Sequence, residues 1–432
     1  MKKFFYLLTI VIVLQFLPNV LFAQEQVQQA RELVKMALKQ YQEKNYPAYL
    51  ENLEKAIKLR PNHPELTYNY AGALALVGNK KAALIELNKF AGFGVIANPS
   101  ADDDFASIKE TPEFGAILKK IEKNRLPIGQ SEVVAKFSEK DLITEGLAYD
   151  PQEQTFYVGS VRKRKIISIK DGKASDFTSS QQDGLWGAFG MQIDVKRRFL
   201  WVASSSISEI ADFRKEEDNK AAVFQYDLKT KKLIKKYSLS NDSQKHVFGD
   251  LTLNSKGEVF ITDSVSPSIY RISPDKSTIE NFVTGPFVSL QGIAFSSDEK
   301  FCFVSDYSQG VFKINIETKN VTKLNIPTNA TLLGIDGIYF YQNNLIAVQN
   351  GVNPHRVIKL TLNKNLDQIE SLTVLTASKE ALPDPTLGTI IGNDFYFHAN
   401  AQWNNFDREG KILPLDKFTE PTLVKISLSS QH

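Results

Sequence analysis

From residue 131 onward one pattern recurs six times, and that recurrence restricts the fold more than any other feature of the chain. Each unit opens on a small residue at the start of a strand, passes a polar turn, and continues into an aromatic-rich second strand. The opening strands are Glu145-Gly146-Leu147, Gly190-Met191-Gln192, Gly249-Asp250-Leu251, Gln291-Gly292-Ile293, Asp336-Gly337-Ile338 and Leu387-Gly388-Thr389. Second strands such as Phe156-Tyr157-Val158 and Leu200-Trp201-Val202 follow them. Alternating apolar residues bounded by turn formers mark β-strands, and units of about 40 to 60 residues with four strands each predict blades. The reading is a mostly β chain with a six-bladed β-propeller over 126–432. The last unit stops after its third strand, Thr422 to Leu428, and a spare strand at 132–137 precedes the first unit. Pairing the two would seal the ring and leave no open sheet edge.

Residues 24–125 follow a different period. Leu33, Ala37 and Tyr41, then Tyr49, Leu53, Ala56 and Ile57, recur at three and four positions, which is the helical spacing. A second pair carries Leu66, Tyr70, Ala71 and Leu74, breaks at Gly78-Asn79, and resumes with Ala83, Leu87 and Phe90. The offset of about 34 residues fits tetratricopeptide-like helix pairs, although the Trp of that repeat is missing. Asp102-Asp103-Asp104-Phe105 is expected to open a further helix, its carboxylates facing the positive end of the helix dipole. Thr111-Pro112 reads as an N-cap followed by Pro at the first helical position. So few repeats are expected to lean on the propeller.

Residues 1–23 have the order of a secretory leader: Lys2 and Lys3, an apolar run from Phe4 to Leu17, Pro18, and a small residue at Ala23. Pro18 and Ala23 favour cleavage over retention as a membrane anchor, so the mature chain is expected in the periplasm or secreted, with no stable membrane insertion. Lys and Arg number 52 against 49 acids, a balance that gives no support to nucleic-acid binding. The single cysteine, Cys302, sits between Phe301 and Phe303 and reads as a buried thiol rather than a nucleophile. Arg162-Lys163-Arg164-Lys165 reads as a solvated turn between strands.

The chemistry is concentrated at the strand starts. A propeller's innermost strands line a central channel, so residues at the repeated opening position converge although they are distant in sequence. That position holds Glu145, Gln291 and Asp336, with Asp250 one place later in its unit. Carboxylates and an amide oxygen, with no His or Cys, make a hard-oxygen set suited to Ca²⁺ or Mg²⁺. Without a cation, Glu145 and Asp336 would repel and one would have its pKa raised.

Glu145-Gly146-Leu147, Gln291-Gly292-Ile293 and Asp336-Gly337-Ile338 resemble the strand starts of the gluconolactonase/regucalcin (senescence marker protein) family, and Gly249-Asp250 is similar to a fourth. The resemblance covers about 131 to 428 and implies a six-bladed propeller with a divalent metal, Ca²⁺ first among the candidates, in its channel. It further implies Glu145, Gln291 and Asp336 as metal ligands, Asp336 and Asp250 as catalytic groups, and hydrolysis of sugar lactones or related esters. Gln291 stands where the family has Asn, and Gly249 where it has another. Arg356, Trp186 and Trp403 are candidate substrate-binding residues, the first for an anionic group and the tryptophans for stacking on a sugar. His398 reads as core or rim. Beside the hydrolase, which would take a small lactone or sugar-like ligand, stands a second reading: a non-catalytic propeller whose helical repeats dock an envelope protein.

Overall fold

The computed structural model describes residues 24–239, 243–378, 380–407 and 409–429. The leader-like segment 1–23 lies outside the described residues. Among the described residues no helix is long and apolar enough to cross a membrane.

Five helices come first: residues 24–42, Tyr46–Leu59, Pro64–Leu76, Lys80–Gly92 and Pro112–Arg125. Their starts are written locally. Asn45, Asn79 and Thr111 each accept a hydrogen bond from a backbone N–H three residues on, which satisfies a group the helix itself leaves unpaired. Pro64 and Pro112 occupy first-turn positions where their missing N–H costs nothing. The acidic run does not open a helix. Residues Asp103–Phe105 form a single 3₁₀ turn, because Asp102 and Asp104 accept hydrogen bonds from the hydroxyls of Tyr68 and Tyr41 on the earlier helices. Side-chain partners, not a helix dipole, account for those carboxylates.

The rest of the chain forms six four-stranded antiparallel sheets, strand following strand in sequence order. Their innermost strands are Thr144–Asp150, Gly187–Asp194, Phe248–Leu253, Leu290–Phe295, Ile335–Tyr341 and Gly388–Ile391, and they head blades 1 to 6 in that order. In the sixth sheet the outer strand is Glu132–Lys136, paired with Thr422–Ser427. The two ends of the propeller therefore share one blade. Sheets pack face to face through aromatic residues, as where Phe260 meets Phe295 of the next blade edge-on at 5.0 Å. Cys302 is fully buried in such an interface, where burial pushes its thiol up.

The basic run is a turn, but only part of it meets solvent. Arg164 and Lys165 are buried: Arg164 donates to the carbonyls of Leu185 and Ala211, and Lys165 pairs with Glu139 and Asp176. The turn is thus a fastening between blades 1 and 2.

The helices sit against the loops of blades 4 and 5. Arg60 donates to Ser308 O at 2.9 Å, and the Ile96 N–H donates to Asn353 O at 3.0 Å. Val352 inserts into the apolar core of the helical segment. Arg356 is the strongest link. Its guanidinium, 1% exposed, donates Nη1 to the carbonyls of Phe93 and Gly94 and Nε to Gln349 Oε1. Gln349 in turn donates to the carbonyls of Thr331 and Leu333. In blades 3 and 4 the equivalent second-strand ends carry Asp263 and Asp306, which accept from loop N–H groups. With Gln349 there instead, blade 5 supplies no carboxylate to the arginine; helical-segment carbonyls take its Nη1, and Nη2 is buried without a partner among the described residues.

Candidate functional site

Backbone geometry, more than side-chain chemistry, brings the strand starts together. In five of the six blades the register of the innermost strand slips where the repeated residue lies: between Thr144 and Leu147, Ala188 and Met191, Phe248 and Asp250, Leu290 and Ile293, and Ile335 and Ile338. Such a bulge leaves residues outside the ladder and re-aims their side chains. At Gly146, Gly190 and Gly292 the glycine beside the bulge lets neighbouring strands approach. A Cβ at Gly146 would collide with the carbonyl of Phe189, and one at Gly292 would meet the backbone of Asp336 and Ile338.

The inner strands run side by side along the channel, so early and late residues line opposite ends. The upper chamber, 470 Å³, is bounded by Glu145, Phe189, Gln291, Asp336 and Leu387 from the strand starts. Loops add Tyr307, Asn350, His355, Asp384 and Trp403. The lower chamber, 260 Å³, is bounded by Leu147, Met191, Ile293 and Tyr339, with Asp250 and Thr252 among them.

In the upper chamber Glu145 is buried, and its Oε1 accepts from the Trp403 indole N–H at 2.6 Å. Burial first, and the charge of Asp336 second, hold its carboxyl well above the usual range. Asp336 keeps part of its surface open to the channel while lying deep in it; burial raises its pKa to about 6, opposed by the Asn350 amide donating to Oδ2 at 2.9 Å. Asp384 is raised by burial and restrained by the Trp403 backbone N–H at 2.7 Å and by His355. Phe189 and Trp403 lie nearly parallel, 22° apart with ring centres at 6.4 Å, and form an aromatic wall.

The structure therefore gathers Glu145, Gln291, Asp336 and Trp403, and separates the other candidates from them. Asp250 belongs to the lower chamber. Its two oxygens accept the N–H groups of Leu251 and Ile293 at 2.8 and 3.3 Å, so it ties blade 3 to blade 4 and is not placed to move protons beside Glu145. Arg356 points away from the channel into the helical segment, as described above. Trp186 lies outside the chamber, its indole donating to Glu217 with Lys236 over its ring. His398 is fully buried, its Nε2 against Gly146 O at 3.3 Å where blade 6 meets blade 1, and burial lowers its pKa to about 4. Asn350, His355 and Asp384 escaped the sequence reading, because they sit in loops with no repeated register. The signal available was positional: 350–355 and Asp384 flank the second strand of blade 5 and the first strand of blade 6.

Among the described residues no three Asp, Glu, His or Cys side chains assemble as a metal site. What the channel offers is the repelling pair Glu145 and Asp336 with neutral amides beside them. Gln291 Oε1 lies beside Gly249, 3.6 Å from where a Cβ there would stand. Two buried carboxyls held above their usual range, one of them by the other's charge, with amide oxygens near, fit a hard divalent cation.

No family model and no curated protein matches this sequence. Solved structures do resemble it. The luciferin-regenerating enzyme is 14% identical, with a TM-score of 0.49 over 69% of this chain and 96% of the other. Regucalcin, a calcium-binding protein from Agrobacterium tumefaciens, is 12% identical, with a TM-score of 0.48 over 68% and 93%. A gluconolactonase from Xanthomonas campestris is 13% identical, with a TM-score of 0.47 over 70% and 91%. The structural neighbours are thus gluconolactonase- and regucalcin-like propellers, and at these identities the likeness is one of fold.

Proposed function

We propose that the protein is an exported, cation-dependent hydrolase of sugar lactones or related esters, acting in the upper chamber of the propeller. The observation that carries this reading is the buried pair Glu145 and Asp336, whose mutual repulsion a cation would relieve. Glu145, Asp336 and the Gln291 amide oxygen would hold Ca²⁺. A cation there would polarise the substrate carbonyl and lower the pKa of a water. Trp403 and Phe189 offer an apolar face against which a sugar ring can lie. Trp403 also fixes one oxygen of Glu145, and Asn350 one oxygen of Asp336, so both carboxylates are oriented before anything binds. A carboxylate committed to a cation is a weak base, which removes Asp336 from proton transfer in this reading.

The test begins with thermal unfolding of the mature protein in EDTA and in excess Ca²⁺. A cation present at 100 times its Kd stabilises by about 2.7 kcal/mol. The rise should vanish in Asp336→Asn, and Ca²⁺ should be needed for hydrolysis of five- and six-membered sugar lactones. Absence of a shift with any divalent ion would sink the cation reading and leave a non-catalytic binding propeller in its place.

A further inference from the structure

Of the five histidines, three have structural duties. His63 caps the third helix, accepting the Leu66 N–H at Nδ1. His246 pairs with the carboxylate of Asp263. His398 is buried against Gly146 O. His432 lies outside the described residues. His355 alone lines the upper chamber, half-buried, on the loop 350–355 between the second and third strands of blade 5.

That loop is held from both sides. Asn350 donates to Asp336 and to the carbonyl of Pro385, and the Gly351 N–H donates to Gly334 O. On the outer side, Asn353 O accepts from Ile96, and Arg356 is clamped by the helical segment. His355 is thus suspended between a fixed channel wall and a fixed helical segment, with its ring at the chamber. Asp384, from the loop leading into blade 6, lies close enough for the two charges to interact. Asp384 is itself oriented by the Trp403 backbone N–H. The other titratable groups on this chamber are Glu145, Asp336 and Tyr307.

We propose that His355 is the proton acceptor of the channel, with Asp384, on the same chamber, supplying the negative charge that balances the imidazolium. The proposal rests on the hydrolase reading above and supplies the base which that reading lacks. Water gives a proton to the His355 imidazole as its oxygen bonds to the lactone carbonyl carbon, and the carbonyl π pair moves to oxygen. On collapse the carbon–oxygen ring bond breaks, the departing oxygen takes the proton from His355, and the product is the open hydroxy acid. Imidazole suits this because it exchanges a proton near neutral pH. The helical segment then has a role in the reaction: it holds the loop that carries the base.

The experiment uses the full mature chain and the variants His355→Gln and Asp384→Asn, with glucono-δ-lactone as the probe. His355→Gln should lower kcat at least about 100-fold, the range of a lost general base, while the Ca²⁺-induced rise in Tm stays as in wild type. In Asp384→Asn kcat should also fall, with KM and the Ca²⁺-induced rise in Tm unchanged, because the imidazolium formed in the reaction loses the charge that balances it. A His355→Gln variant with wild-type kcat and pH profile would overturn the proposal and leave the hydrolase reading standing. If wild-type protein hydrolyses no lactone, the hydrolase reading falls and the proposal falls with it.

Discussion

The two chambers of the channel are built from the same six strands, yet they handle carboxylates in opposite ways. In the lower chamber Asp250 gives both oxygens to backbone N–H groups of two blades. Its carboxyl oxygens serve as a fastening. In the upper chamber Glu145, Asp336 and Asp384 each keep neutral donors on one side and face open space on the other. Those donors orient the acids without cancelling their repulsion. A fold can thus bury acids at similar depth for stability in one place and for chemistry in another, and the difference lies in whether the hydrogen bonds exhaust the oxygens.

The largest expected effect separates the chambers by pH. Burial raises Asp250 to about 7 and Asp336 to about 6, and Glu145 stands well above its usual range. A carboxyl whose folded pKa exceeds its unfolded value near 4 contributes stability that is complete below that value and lost as pH rises through the folded one. In EDTA, stability should therefore fall from about pH 4 to 7, by on the order of 4 kcal/mol for Asp250 alone. Asp336 should add about 2 kcal/mol once channel water is allowed for. Ca²⁺ should flatten the upper-chamber share and leave that of Asp250. Denaturant melts across this range, with and without Ca²⁺, check both; a cation that abolished the whole slope would break the distinction between chambers.

Asp250→Ala comes next. Two buried N–H groups lose their acceptor, costing about 3 kcal/mol in urea unfolding at pH 5, while the Ca²⁺ response stays intact. Asp336→Ala should do the reverse, with little loss in EDTA and no response to Ca²⁺. The smallest effect sharpens the upper chamber: Trp403→Phe keeps a ring beside Phe189 but removes the donor to Glu145, for a loss of about 1 kcal/mol. Thermal melts at pH 7 should resolve it, and a loss as large as that for Asp250→Ala would mean that Trp403 carries more of the packing than its hydrogen bond does.

The propeller was legible because a blade cannot bury its faces without repeating, so the period, the small residue at each strand start and the aromatic second strand recur in the chain. The helices were legible from their spacing, the break at Gly78-Asn79 and the cap at Thr111. The acidic run was misread because tyrosines about 34 and 63 residues upstream, Tyr68 and Tyr41, take its carboxylates. Arg164 and Lys165 were taken as solvated because nothing local announces the carbonyls of Leu185 and Ala211 that take the first, or Glu139 and Asp176 that take the second.

For the site, the sequence by itself determined which residue types reach the channel. The repeated position at the strand start points Glu145, Gln291 and Asp336 inward whatever the loops do. Only the tertiary structure decided which of them share a chamber. Asp250 is one residue further along its strand, and the bulge at Phe248 to Asp250 turns that single step into the opposite end of the channel. Arg356 follows His355 directly, yet successive residues of an extended chain face opposite sides. One reaches the chamber and the other the helical segment, because only the folded ring fixes which side is which.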